Sequence, residues 1–337
     1  MASVKVDMPL VTRLKQFVYI LSRRFIFRSN GTINRRIYNL VHMKSPAQTT
    51  KPITTTTLVS TYDVPIDPSR NLWFRLFVPA ATTNIPNGHF SQKLFPFILH
   101  FHGGGFSTMG PDSSIFDCFC SRLAAETRAV IASINYRLAP ENRYPSQYED
   151  GFDALKFINS QNHAVLPANT DLDRCFIAGD SAGANIAHHV TVRACQNPHE
   201  FDKLKIVGLV SIQPFFGGEE RTEAELRLKR APLLNVEVTD RMWRSFLPEG
   251  ADRDHPAVNV LNSAKLENAE FPSMLVVVGG YDPLQDWQRR YVEWVKECGK
   301  QVELIEYPNA FHSFYAFPEV AEFQMLMDHV REFIRKK

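Results

Sequence analysis

The sequence predicts an α/β fold with a mostly parallel central sheet flanked by helices. Three observations carry that prediction. Short β-rich runs alternate with helical stretches along most of the chain. Five of those runs are continuously apolar, among them Phe95-Pro96-Phe97-Ile98-Leu99 and Met274-Leu275-Val276-Val277-Val278, the pattern of strands covered on both faces. At 337 residues the chain is long enough to bury a large core.

The elements follow in order. Strands are expected at 58–64, 72–78, 95–101, 129–136, 175–178, 206–212, 274–278 and 302–307. Helices are expected at 115–127, 147–159, 184–195, 287–298 and 320–335. The charged, helix-patterned stretch 217–264 breaks the alternation and reads as an insertion. Residues 1–50 form a separate N-terminal segment, and 51–337 the main domain. A Pro- and Thr-rich stretch at 44–57 is a linker or an early edge strand. Within the segment, 9–27 reads as a basic amphipathic helix, because Leu10, Leu14, Phe17, Val18 and Leu21 recur at helical spacing. Two readings stay open: the helix caps its own domain, or it lies on a membrane surface.

Composition removes several function classes. Thirty-eight Lys plus Arg against 36 Asp plus Glu leave a net charge of +2, so nothing electrostatic argues for nucleic acid as partner. No apolar run approaches the ~20 residues that span a bilayer, so stable membrane insertion is not expected. The run at 17–21 is too short for a secretory signal. Five cysteines without regular spacing read as free thiols in a reducing compartment, not as a disulfide framework or zinc site. The 25 Phe suit a core or pocket that favours rings. The sequon Asn30-Gly31-Thr32 is short enough to arise by chance.

The sharpest motif is Gly179-Asp180-Ser181-Ala182-Gly183, between the apolar strand at 175–178 and a helical run. G-x-S-x-G on a strand-to-helix turn is the nucleophile elbow, and its flanking glycines let neighbouring backbone approach. The helix N-terminus favours developing negative charge at Ser181. His102-Gly103-Gly104-Gly105-Phe106 follows the strand at 95–101 and leaves backbone N–H groups unshielded. With the N–H of Ala182 they could bind an oxyanion. A phosphate loop would end in G-K-[ST], which is missing. His102 reads as a residue that holds the loop by a hydrogen bond.

A serine nucleophile needs a base, and the base needs an acid to fix its tautomer. Asp282 follows the strand ending at Val278, and His312 follows the strand ending at Tyr307, so they stand in the required order after Ser181. The rivals fit worse. Asp286 begins a helical run and reads as its N-cap. His255 precedes the acid. His188 and His189 lie too far along the helix after Ser181 to turn back to its hydroxyl. Asn135 to Glu141 reads as structural.

Taken together, HGGGF at 102–106, YRLAPE at 136–141, GDSAGANIAHH at 179–189, GGYDPL at 279–284 and AFH ending at 312 resemble the plant carboxylesterases of the hormone-sensitive-lipase-like α/β-hydrolase group. The resemblance covers nearly the whole chain. It implies an α/β-hydrolase fold with Ser181 as nucleophile, Asp282 as acid and His312 as base. Its oxyanion donors fall on Gly104, Gly105 and Ala182. The gibberellin receptors resemble the same fold with the catalytic histidine lost and an N-terminal lid over hormone. Other relatives carry out eliminations or dehydrations in the same pocket.

The expectation is therefore a serine carboxylesterase acting on small carboxylic esters, with no metal and no organic cofactor. A receptor or a lyase of the same fold is the alternative. Phe106, Phe215 and Phe314 are expected at the substrate. Capping by the N-terminal helix predicts Leu14, Phe17 and Leu21 buried near Ser181, with Arg13, Lys15, Arg23 and Arg24 in water. Deleting such a cap is expected to change the Michaelis constant more than the chemistry on a tiny activated ester. The expected location is cytoplasmic, with the nucleus also open to it.

Overall fold

The computed structural model describes residues 8–28, 32–48, 50–53, 57–80, 94–160, 165–231, 233–263, 266 and 270–337. Most of the sequon and part of the 44–57 stretch lie outside them. The sheet has nine strands: β1 (Lys51–Pro52), β2 (Leu58–Asp67), β3 (Leu72–Pro79), β4 (Phe95–Phe101), β5 (Val130–Ile134), β6 (Thr170–Asp180), β7 (Ile206–Ile212), β8 (Ser273–Tyr281) and β9 (Val302–Phe311). Their order in space is β1-β2-β3-β5-β4-β6-β7-β8-β9. From β5 across to β9 all neighbours are parallel, while β1, β2 and β3 add an antiparallel edge. Each strand expected from sequence is present. The early edge strand is present too, as the two residues Lys51 and Pro52 paired with Val59 and Leu58.

Parallel strands need crossovers, and helices supply them. They are α3 (Ser114–Thr127), α4 (Ser146–Ser160), α5 (Ala182–Gln196) and α8 (Gln285–Glu297), and α9 (Ala321–Arg335) follows the last strand. Helices on both faces explain the unbroken apolar runs: all seven residues of β4 are buried. Alternate side chains feed two cores. Phe97 and Leu99 join one face with Ile177 and Val276, and Ile98 joins the other with Phe176 and Val277. The charged stretch after β7 folds as α6 (Glu223–Arg227), closed by a Thr222/Glu225 capping box, and α7 (Val236–Phe246), capped by Asn235.

The N-terminal segment forms α1 (Leu10–Ile26) and α2 (Arg35–Val41). Spacing predicts α1 well but not its orientation. Leu10, Leu14, Phe17, Val18, Leu21 and Phe25 all face solvent, with Phe17 at 62% exposure. The buried side chains are Thr12, Gln16 and Ile26. Thr12 and Lys15 both donate to Glu319, and Arg23 donates to the Leu233 carbonyl. The expected burial of Leu14, Phe17 and Leu21 is thus reversed, and Arg23 turns inward, while Lys15 stays exposed as expected and pairs with Glu319 at the surface. Polar partners beyond His312 and before α7 set this orientation, where an apolar stripe alone would have set the opposite one.

Candidate active site

β6 runs straight into Ser181, whose backbone adopts φ 51° and ψ −119° before α5 begins. A serine at positive φ is strained, and it persists where its surroundings over-determine it. Here the Ser181 N–H donates to the Ile212 carbonyl at 2.9 Å and its carbonyl accepts from Phe215 N–H at 3.0 Å. The turn is also closely packed. A Cβ on Gly183 would lie 1.9 Å from the Phe101 carbonyl oxygen, so no side chain fits. Ser181 is 6% exposed.

Asp282 lies one residue beyond β8 and is fully buried. One carboxylate oxygen accepts from Leu284 N–H at 2.9 Å. The other accepts from Gln288 Nε2 at 2.9 Å and faces His312 Nδ1 at 2.8 Å. His312 follows β9 directly, and its Nε2 lies 3.0 Å from Ser181 Oγ. A carboxylate can only accept, so Nδ1 carries the proton toward Asp282 and Nε2 is left to accept from the serine. The geometry suits general-base activation of a hydroxyl. Three strand ends that are distant in sequence therefore place Ser181, His312 and Asp282 within hydrogen-bonding distance.

The glycine turn lies against the elbow. Gly103 N–H donates to Asp180 Oδ2 at 3.1 Å, and the Gly104 carbonyl accepts from Ser107 and Thr108. Gly104, with φ 112°, occupies backbone space that L side chains avoid. Among the described residues the N–H groups of Gly104 and Gly105 make no hydrogen bond. His102 stacks on Tyr136 with ring centroids 4.3 Å apart, and its Nδ1 lies 2.8 Å from the Gly103 carbonyl. Burial pulls its pKa down to about 3, so it is neutral and donates there, the loop-holding part expected of it.

Two of the three expected aromatic side chains come together. Phe106 stacks on Phe246 at 3.8 Å and Phe215 on Trp243 at 4.0 Å, so α7 completes one aromatic cluster. Phe314 does not join it. The left-handed Ser313 turns the chain, and Phe314 packs on Tyr307 and Tyr315 in the core of the other face. Asp286 does not cap its own helix either, since it is the second residue of α8 and accepts instead from Ala224 N–H of α6. His188 is buried against the Tyr291 hydroxyl, and His255 accepts from Ala257 N–H.

Sequence reasoning missed Gln288, Asp180 and Gln213. Gln213 Oε1 accepts from Ser313 N–H and its Nε2 donates to the Phe311 carbonyl. Asp180 and Gln213 adjoin the ends of β6 and β7, a signal that does not name a partner, and Gln288, inside α8, carried no signal. Among the described residues, no group of three or more His, Cys, Asp or Glu could hold a metal ion, and no helix is long and apolar enough to cross a membrane.

Comparison with known proteins agrees with this architecture. Residues 98–316 match the family described as alpha/beta hydrolase fold. The gibberellin receptor GID1C of Arabidopsis thaliana is 38% identical, over 98% of this chain and 95% of its own. Carboxylesterase 20 of the same plant is 36% identical, over 74% of this chain and 77% of its own. A solved esterase of Pyrobaculum calidifontis superposes with a TM-score of 0.71 at 21% identity, covering 98% of this chain and 99% of its own.

Proposed function

This chain belongs to the α/β hydrolase fold family, and from that membership we propose that it is a serine carboxylesterase acting on small carboxylic esters. The observation that carries the reading is the hydrogen-bonded series from Ser181 Oγ through His312 to Asp282, at 3.0 and 2.8 Å. Ser181 attacks the ester carbonyl while His312 Nε2 takes its proton, and Asp282 stabilises the imidazolium. The N–H groups of Gly104, Gly105 and Ala182 receive the tetrahedral oxyanion. His312 then protonates the departing alcohol. Water, deprotonated by the same nitrogen, releases the acid from the acyl-enzyme. The scheme uses no metal and no organic cofactor.

The Phe106/Phe215 cluster with Trp243 and Phe246 forms an apolar wall for the acyl or alcohol group. Residues 1–50 serve as a cap held by polar contacts and not by the apolar stripe of α1, which faces solvent; the α1 contacts to Glu319, seven residues past His312, and to Leu233 before α7 support this. The test is hydrolysis of p-nitrophenyl acetate and butyrate by the purified protein, with loss of activity on labelling by a fluorophosphonate. No turnover of either ester and no labelling would sink the reading.

A receptor is the second reading, favoured by the 38% identity to a gibberellin receptor over 98% of this chain, N-terminal segment included. Against it stands His312, in hydrogen-bonding reach of both its partners. Tight gibberellin binding without ester turnover would decide for the receptor.

A further inference from the structure

The glycine turn is the most strained stretch of backbone beside Ser181. Gly104, Gly105 and Phe106 all have positive φ, at 112°, 60° and 60°, and Met109 follows at 75°. Two of these four carry side chains that disfavour the conformation, so something outside the turn must hold it. On its upstream side the holders belong to the main domain: Asp180 accepts from Gly103 N–H, and the Tyr136 hydroxyl donates to the His102 carbonyl at 2.7 Å.

On the downstream side the holders come from α2. The Arg35 guanidinium donates to the Ser107 carbonyl at 2.7 Å and to the Ala139 carbonyl at 2.8 Å. Two more of its donors, on Nε and Nη2, pair with the Glu141 carboxylate, Nε at 2.9 Å. Ala139 N–H in turn donates to the Phe106 carbonyl at 2.9 Å. One planar fork therefore ties the turn to the 139–141 loop. Tyr38, itself 7% exposed, accepts the Met109 N–H on its hydroxyl at 2.6 Å. His42 reaches Ser113 Oγ at 2.7 Å, and that hydroxyl also accepts from Gly110 N–H.

We infer that Arg35 and Tyr38 are positioning residues for the oxyanion turn, so that α2 is part of the scaffold of the reaction and not only of a lid. The inference rests on the esterase reading for its kinetic consequence, but not for its structural one. An oxyanion donor acts only on charge that develops in the transition state, so loosening the turn lowers kcat and leaves KM nearly unchanged. A residue that merely shaped the entrance would move KM instead.

The experiment compares the full chain with Arg35→Ala, Arg35→Lys and Tyr38→Phe, with folding checked by circular dichroism. On p-nitrophenyl acetate, Arg35→Ala is expected to lower kcat roughly 10- to 100-fold, the scale of a small misplacement in an active site. KM should stay within about 3-fold, and affinity for an aryl trifluoromethyl ketone, which forms an oxyanion on Ser181, should fall in parallel with kcat. Arg35→Lys should recover part of the loss. Independently of any turnover, amide exchange in peptides covering 103–109 should speed up at least ~10-fold in Arg35→Ala and Tyr38→Phe while α5 stays protected. Unchanged exchange in those peptides overturns the inference whether or not the protein is an esterase. So does a folded Arg35→Ala variant with wild-type kcat and ketone affinity. A wild-type chain that turns over no ester, with the exchange result as expected, leaves the scaffold intact and removes only the esterase reading.

Discussion

Gln213 holds the chain on both sides of His312: its Nε2 donates to the Phe311 carbonyl at 3.2 Å and its Oε1 accepts from Ser313 N–H at 2.8 Å. An imidazole held at both flanking peptides has little freedom to leave the line between Ser181 and Asp282.

That clamp predicts a kinetic variant with its chemistry intact. Gln213→Leu keeps approximate size but removes both hydrogen bonds. Ester turnover should fall about 10- to 100-fold through misplacement of His312, and stability by ~1–3 kcal/mol through two unpaired peptide groups. Steady-state kinetics and urea unfolding measure the two effects. Wild-type turnover in this variant would show that the clamp does not set the position of His312.

Removing the Ser181 hydroxyl tests the proposed nucleophile and separates chemistry from binding. Ser181→Ala should lower ester turnover ~10³-fold or more and abolish fluorophosphonate labelling. Circular dichroism should be unchanged. Substantial residual activity would move the nucleophile elsewhere.

The reversed orientation of α1 predicts an unusual mutational pattern. Leu14→Ser and Phe17→Ser, on the exposed side, should change stability by no more than ~0.5 kcal/mol. Ile26→Ala, at a side chain 4% exposed, should loosen the segment by ~2–4 kcal/mol and hasten its proteolysis. The opposite pattern would mean that the apolar stripe is buried after all.

Stability should peak near neutrality. Burial holds the His102 pKa at about 3 and that of His188 well below its ordinary value, with neighbouring His189 adding to the shift at His188. Below pH ~6.5 the unfolded chain therefore binds protons that the folded one refuses. Stability falls with pH there by up to ~1.4 kcal/mol per unit for each histidine. His100 behaves oppositely. Burial opposes its charge, but contacts with Cys120 and Asp180 outweigh burial and raise its pKa to about 10. Its contribution is complete below pH ~6.5 and is lost as pH rises toward 10. Denaturant unfolding at pH 5, 6.5 and 8.5 checks both limbs, and a flat profile would contradict them.

Much of this was legible in the sequence. Continuous apolar runs marked the buried strands because burial on both faces leaves no room for alternation. The meeting of Ser181, Asp282 and His312 was legible because each sits at a strand end in fixed chain order. The orientation of α1 was not. Helical spacing says which side chains share a face, not which way the face points, and the deciding partner, Glu319, lies 307 positions from Thr12. Gln213 was equally hidden, 98 and 100 positions from the peptides it grips. Phe314 follows His312 closely, yet one left-handed residue sends it to the opposite core. Proximity in sequence to a motif is weak information about direction.

The backbone at Ser181, with its φ of 51°, sets stability against reactivity. Glycine accepts that conformation freely, whereas serine is strained there by about 1–3 kcal/mol. A variant with glycine at 181 should thus melt later than the active protein. The strain is therefore a stability the chain forgoes in order to hold a hydroxyl at that turn, and a position under no demand for that hydroxyl would lose nothing in folding by giving it up.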